Sequence, residues 1–136
     1  MFTHVLDTSA WLIHVFKEPG SERITELFRN EENRVVISAI SLIEMYARLK
    51  SVGRASEFHP TAKFYRELFH SILPATEEIA LRAVSLRRAA TTRLTTIDSL
   101  IAATAAYHSA VLVHRDPHFL ALSEEWLKQQ YLAAEE

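Results

Sequence analysis

At 136 residues, 49% hydrophobic and 24% charged, the chain has the size and composition of one globular domain, which excludes a disordered polar polymer and argues against two ordinary domains. It contains no cysteine, so disulfides and thiolate metal sites are excluded, a cytoplasmic location is expected, and any metal must sit on carboxylate, hydroxyl or imidazole. The formal net charge of -2 excludes a broad basic nucleic-acid footprint, so any contact with a phosphate backbone must be local.

Phe2 to Leu6 is a short apolar, β-branched segment that stops at Asp7, the pattern of a buried strand. The run before Asp7 carries no basic segment followed by a long apolar one, so no secretory leader is expected. From Thr8 the period changes: Trp11, Leu12, Val15 and Phe16 recur at helical spacing until Pro19-Gly20 closes the helix. Residues 21–32 predict a second helix with Ile24, Leu27 and Phe28 inward, and Arg34 to Ile37 a second strand. A helix beginning at Ser38 or Ser41 is expected to run to about Lys50, with Ile40, Ile43, Tyr46 and Ala47 on its buried side.

Gly53 to Pro60 reads as a surface connection leading to a helix that carries Phe64, Leu68 and Phe69. Ser71 to Pro74 is a short strand candidate, and Thr76 caps a helix to about Thr91 built on Ile79, Ala83, Leu86 and Ala90. An alanine-rich helix follows over 98–108, then an apolar strand from Ala110 to His114. Its neighbourhood from Leu100 to Val113 is broken by Thr104, His108 and Ser109 and falls short of the roughly 20 residues a membrane helix needs. Phe119, Leu122, Trp126 and Leu127 predict a helix over 117–132, with a closing edge strand as the alternative. Strands alternating with helices predict one α/β domain over residues 1–136, with a parallel sheet covered on both faces.

In such sheets ligands bind beyond the carboxyl ends of the strands, which gives weight to acids placed there. Asp7 ends the first strand and Asp116 follows the last apolar one. Glu44 interrupts SAISLIEMYARL and Asp98 opens TTIDSLIAATAAY, both runs otherwise suited to burial, where a carboxylate is costly unless paired, hydrogen-bonded or metal-bound. Each also has a purely structural reading. Asp7 is placed to cap a helix, Glu44 to complete a capping box with Ser41 or to pair with Arg48. Asp98 is a first-turn acid with Thr95 or Thr96 as cap, and Asp116 before Pro117 a turn start.

Taken together, VLDTSAWL, ISAISLIEMYARL, TTIDSLIAATA and LVHRDPHF resemble the four acidic motifs of the PIN-domain family, in order and across nearly the whole chain. The DTS, E, D-x-x-IAA-x-A and D-x-x-F patterns are most similar to the toxins of VapBC toxin-antitoxin pairs. The resemblance implies a three-layer α/β/α sandwich and a Mg²⁺- or Mn²⁺-dependent endoribonuclease that leaves 5′-phosphate and 3′-hydroxyl ends. Asp7, Glu44, Asp98 and Asp116 would form its acidic quartet, with Asp7, Asp98 and Asp116 on the metal and Glu44 acting through water. Ser9 and Thr8 would be the supporting hydroxyls beside the first acid. Implied partners are RNA, an antitoxin protein and a second copy of the chain.

Arg115, Arg48, Arg93 and Lys50 are candidates for RNA-backbone contacts, against the plainer reading of ordinary surface solvation. The sequence departs from the family where a Thr followed by Asn or Arg is common, since it has His114-Arg115. That departure is the feature favouring a catalytically idle PIN-like domain that binds RNA or protein. His114 and His118 are four apart, but Pro117 intervenes and His114 ends a strand, so the pair does not read as a zinc site. A phosphate-accepting signalling domain would need paired acids after the first strand and a lysine after a late one, and neither is present.

Overall fold

The computed structural model describes residues 1–133. The strands are β1 (His4–Leu6), β2 (Val35–Ser38), β3 (Ser71–Leu73), β4 (Val111–His114) and β5 (Gln129–Tyr131). The α-helices are α1 (Thr8–Val15), α2 (Ser21–Arg29), α3 (Ile40–Ser51), α4 (Phe58–Leu68), α5 (Glu77–Ala89) and α6 (Thr96–Tyr107). Short 3₁₀ turns occupy Ala55–Glu57 and Pro117–Ala121. All paired strands are parallel, in the order β3-β2-β1-β4-β5.

Side chains alternate across a strand, and here the alternation divides the core in two. Val5, Val36 and Leu112 face one layer, packed with Ile79, Ala83 and Leu86 of α5 and Ile101, Ala102 and Ala105 of α6. Leu6, Val35, Ile37 and Val113 face the other, packed with Trp11, Ile24, Met45, Leu49, Tyr65 and Phe69. Burial on both faces explains why these strands read as unbroken apolar runs. The result is the expected three-layer sandwich, with a topological reversal between β1 and β4 at the centre of the sheet.

The caps follow the sequence: Thr76 accepts from Ile79 N–H and Thr95 from Asp98 N–H. Gly20, which precedes α2 at φ 102°, supplies a left-handed conformation that other residues adopt at a cost.

Three expectations are corrected. In α3 the buried side is Ser41, Met45 and Leu49, while Ile43 is 68% and Tyr46 42% exposed and Ala47 also faces outward. Apolar residues lie on two sides of that helix, and tertiary docking, not periodicity, selects between them. The helix expected to carry Phe64, Leu68 and Phe69 ends at Leu68, so Phe69 lies just past it; Tyr65 and Phe69 are buried, and Phe64 and Leu68 are exposed. The long helix over 117–132 does not form; the 3₁₀ turn and the alternative, a closing edge strand (β5), take its place, with Phe119, Leu122 and Leu127 buried and Trp126 turned out. Of the described residues, no helix is long and apolar enough to cross a membrane.

Candidate active site

The strand order 3-2-1-4-5 puts β1 and β4 side by side while their chains leave in different directions, which opens a crevice at their carboxyl ends. Asp7 stands directly after β1 and Asp116 two residues after β4. Asp98 enters in the first turn of α6 and Glu44 from the second turn of α3.

Asp7 is buried, and its carboxylate accepts from Ser9 Oγ at 2.7 and 2.8 Å and from Ala10 N–H at 2.8 Å. Ser9 Oγ in turn accepts from the backbone N–H of Arg115 at 2.9 Å, so one hydroxyl ties the loop after β4 to the acid after β1. Thr8 serves the next acid: its hydroxyl donates to Glu44 Oε1 at 2.5 Å and lies 3.1 Å from Ser41 Oγ. The capping readings of Asp7, Asp98 and Asp116 hold as well, because Asp98 N–H is bound by Thr95 and Asp116 accepts from His118 N–H at 2.9 Å. Glu44 instead has Thr8 as its partner, and α3 begins after Ala39 without a side-chain cap.

Burial raises Asp7 to about 7, with Asp116 and Asp98 adding repulsion against its hydrogen bonds to Ala10 and Ser9. Asp98 is likewise raised, by burial first, then by the charges of Asp116 and Glu44, while Thr95 and His118 act in the other direction. The four acids thus share one electrostatic neighbourhood although they come from four separate elements. A donor oxygen from each of Asp98 and Asp116 and a nitrogen of His118 lie within 4.8 Å of one another. Asp7 and Glu44 stand outside that closest group, each committed to hydroxyl donors.

A family model described as the PIN domain matches residues 4–125. The chain belongs to the PIN-domain family. A comparison with curated proteins finds no match. Among solved structures, VapBC2 from Rickettsia felis, crystallised on a promoter DNA fragment, is similar at 18% identity and TM-score 0.78, over 97% of this chain and 100% of that one. DNA-bound VapBC from Salmonella typhimurium matches at 19% identity and TM-score 0.78, over 98% and 100%. VapC20 from Mycobacterium tuberculosis, described as a sarcin-ricin loop cleaving toxin, matches at 16% identity and TM-score 0.68, over 88% and 94%.

Within this PIN domain Arg115 has backbone partners of its own. Its guanidinium donates to the carbonyls of Leu132 at 2.6 Å, Pro19 at 2.7 Å and Ala133 at 3.4 Å, holding three chain segments together. A Cβ at position 20 would stand 2.7 Å from Arg115 Nη2, so the glycine there makes room for the tether. Arg48 is exposed and lines a 180 Å³ pocket with Ser9, Phe16 and Arg115. Lys50 and Arg93 are exposed as well.

The His114 departure has an architectural explanation that the sequence does not reveal. Asp116 N–H donates to His114 Nδ1 at 3.1 Å, which leaves the proton on Nε2 to donate to Gln129 Oε1 at 2.8 Å. The Gln129 amide then donates to the carbonyls of Phe119 and Leu122 at 3.0 and 2.9 Å. His114, with 0% exposure and a pKa lowered by burial, is a neutral strut between the site loop and β5. Sequence reasoning also misses His118 as a site residue; its adjacency to Asp98 depends on where α6 begins relative to β4, which spacing along the chain does not encode.

Proposed function

We propose that this PIN domain is a metal-dependent endoribonuclease and the toxin member of a toxin-antitoxin pair. The observation that carries the reading is the gathering of Asp7, Asp98, Asp116 and Glu44 at the carboxyl ends of β1 and β4, with oxygens of Asp98 and Asp116 within 4.8 Å of each other and Asp7 tied through Ser9 to the loop that bears Asp116. Carboxylates gathered against burial call for a compensating cation, and the charges acting on Asp7 are those of Asp116 and Asp98, both of its own sign. An oxygen-rich set of this kind fits a hard dication that keeps several waters and completes its shell with substrate phosphate.

Asp98, Asp116 and Asp7 would hold the ion, and Glu44, braced by Thr8, would position water. A bound Mg²⁺ or Mn²⁺ supplies Lewis-acid stabilisation of phosphodiester charge and lowers the pKa of attacking water. The protein's own part is geometric. Ser9 fixes both the Asp7 carboxylate and the backbone leading to Asp116, so the two acids keep their spacing when RNA arrives. Arg48 and Arg115, which line a pocket with Ser9, and the exposed Lys50 and Arg93 are the candidates for phosphate contact. The solved VapBC relatives support an antitoxin as partner, and a homodimer is the working form that goes with this reading. The idle-domain alternative rests on His114-Arg115, and a strut at His114 does not argue against activity.

Purified protein should cleave RNA when Mg²⁺ or Mn²⁺ is added. Asp7→Asn and Asp98→Asn should each reduce cutting by at least about 100-fold while retaining the parental circular-dichroism spectrum, since each removes a negative charge that would hold the ion. Parental rates in either folded variant would refute the assignment. Expression without a partner should arrest growth, and harmless expression would refute the toxin role while leaving the nuclease reading to the cleavage assay.

A further inference from the structure

The two histidines flanking Asp116 do different things. His114 has both ring nitrogens committed inward, to Asp116 N–H and to Gln129. The His118 side chain is 68% exposed at the rim of the crevice, where its Nδ1 meets Asp116 Oδ1 at 2.7 Å. Pro117 opens the 3₁₀ turn and Asp116 binds His118 N–H, so the backbone under the ring is fixed although the ring itself is open to solvent. One His118 nitrogen and oxygens of Asp98 and Asp116 lie within 4.8 Å of one another. Three donors bound at about 2.0–2.2 Å to one ion stand about 3–4.4 Å apart, so this trio is close to the spacing that one ion would bridge.

An imidazole changes what such a shell selects. Mg²⁺ is served by carboxylate and water, whereas a nitrogen donor strengthens binding of first-row transition ions in the Irving–Williams sense. Resting on the metal-centre reading above, we propose that His118 is a direct nitrogen ligand of the active-site ion and biases the site toward a first-row transition-metal dication over Mg²⁺. Asp98, Asp116 and His118 would together hold the ion, and the His118–Asp116 contact at 2.7 Å keeps the ring beside the acid.

The test uses Mn²⁺ and Mg²⁺ as probes on the full chain, by calorimetry and by pulsed electron paramagnetic resonance of the Mn²⁺-loaded protein. The parent should show ¹⁴N modulation of a directly bound nitrogen and bind Mn²⁺ more tightly than Mg²⁺. His118→Ala should lose the nitrogen signal and at least about tenfold in Mn²⁺ affinity, with Mg²⁺ affinity changed far less. His118→Gln retains a hydrogen-bond donor toward Asp116, so it should also lose the signal and the preference; keeping the preference would assign His118 to bracing Asp116 alone and overturn the inference. Binding of both ions to the parent without a nitrogen signal, and unchanged in His118→Ala, would overturn it while leaving the metal centre intact. Failure of the parent to bind either ion would overturn the centre itself.

Discussion

Asp7 caps α1 through Ala10 and is the most deeply buried of the four acids. Asparagine caps a helix as well as aspartate does, so Asp7→Asn keeps the cap and removes the buried charge. The variant should therefore be more stable than the parent above neutral pH in the absence of metal, as thermal melts would show, while losing cleavage. The sign follows from Asp7 standing at about 7 when folded against an ordinary 3.8. The folded state holds this proton more tightly, so its stabilising effect is complete below about 3.8 and disappears as pH rises through about 7. A tenfold difference in proton affinity between the folded and unfolded chain corresponds to about 1.4 kcal/mol, so the metal-free parent should lose stability on the order of a few kcal/mol across that window. His14 and His114, both lowered by burial, act oppositely and lose stability as pH falls below the ordinary 6.5. The difference between parent and Asp7→Asn melts across pH isolates the carboxylate; parallel curves would refute the burial argument. Ser9→Ala removes the hydroxyl shared by Asp7 and Arg115 N–H and should weaken Mn²⁺ binding by about 10–100-fold in calorimetry.

Among the elements, β5 shows how little sequence signal a strand can carry. Gln129–Tyr131 has no apolar run, and it pairs with β4 because Gln129 satisfies His114 and two carbonyls of the 3₁₀ turn. Gln129→Leu removes the partner of the His114 Nε2–H and of the Leu122 carbonyl, while the Phe119 carbonyl keeps Leu122 N–H, at a cost of about 1–3 kcal/mol measured by urea unfolding. It should also loosen the turn bearing Asp116 and His118, read as lower Mn²⁺ affinity. In α1, Trp11 meets the rings of Tyr65 and Phe69 edge-on at 5.6 and 5.7 Å, and α4 is docked through that contact. Trp11→Ala should cost about 3–5 kcal/mol in the same assay. Trp11→Phe should cost less, because it also removes an indole N–H that is buried without a partner among the described residues.

For the molecule as a whole, the site is a product of strand order. Acids from β1, α3, α6 and the loop after β4 meet because the chain lays β2 and β3 on one side of β1 and β4 and β5 on the other. A divalent ion that binds only this assembled crevice should raise the unfolding free energy by about 2.7 kcal/mol at a hundredfold excess over its dissociation constant. Asp98→Asn should abolish that gain in a thermal shift measurement; an equal shift in parent and variant would place the ion elsewhere. The strands β1, β2 and β4, the caps at Thr76 and Thr95, and the four acids are legible in the sequence, since each is a local pattern: an apolar run, a hydroxyl before a helix, a carboxylate where burial is expected. The inward face of α3, the course of residues 117–132, and the parts played by Arg115, His114 and His118 are not, because each is decided by contacts between segments far apart in the chain. Periodicity and composition determine which stretches must be buried and where charge is out of place. Only the folded arrangement decides which face wins, which cation meets backbone carbonyls, and which imidazole ends beside the acids, because those outcomes depend on distances through space.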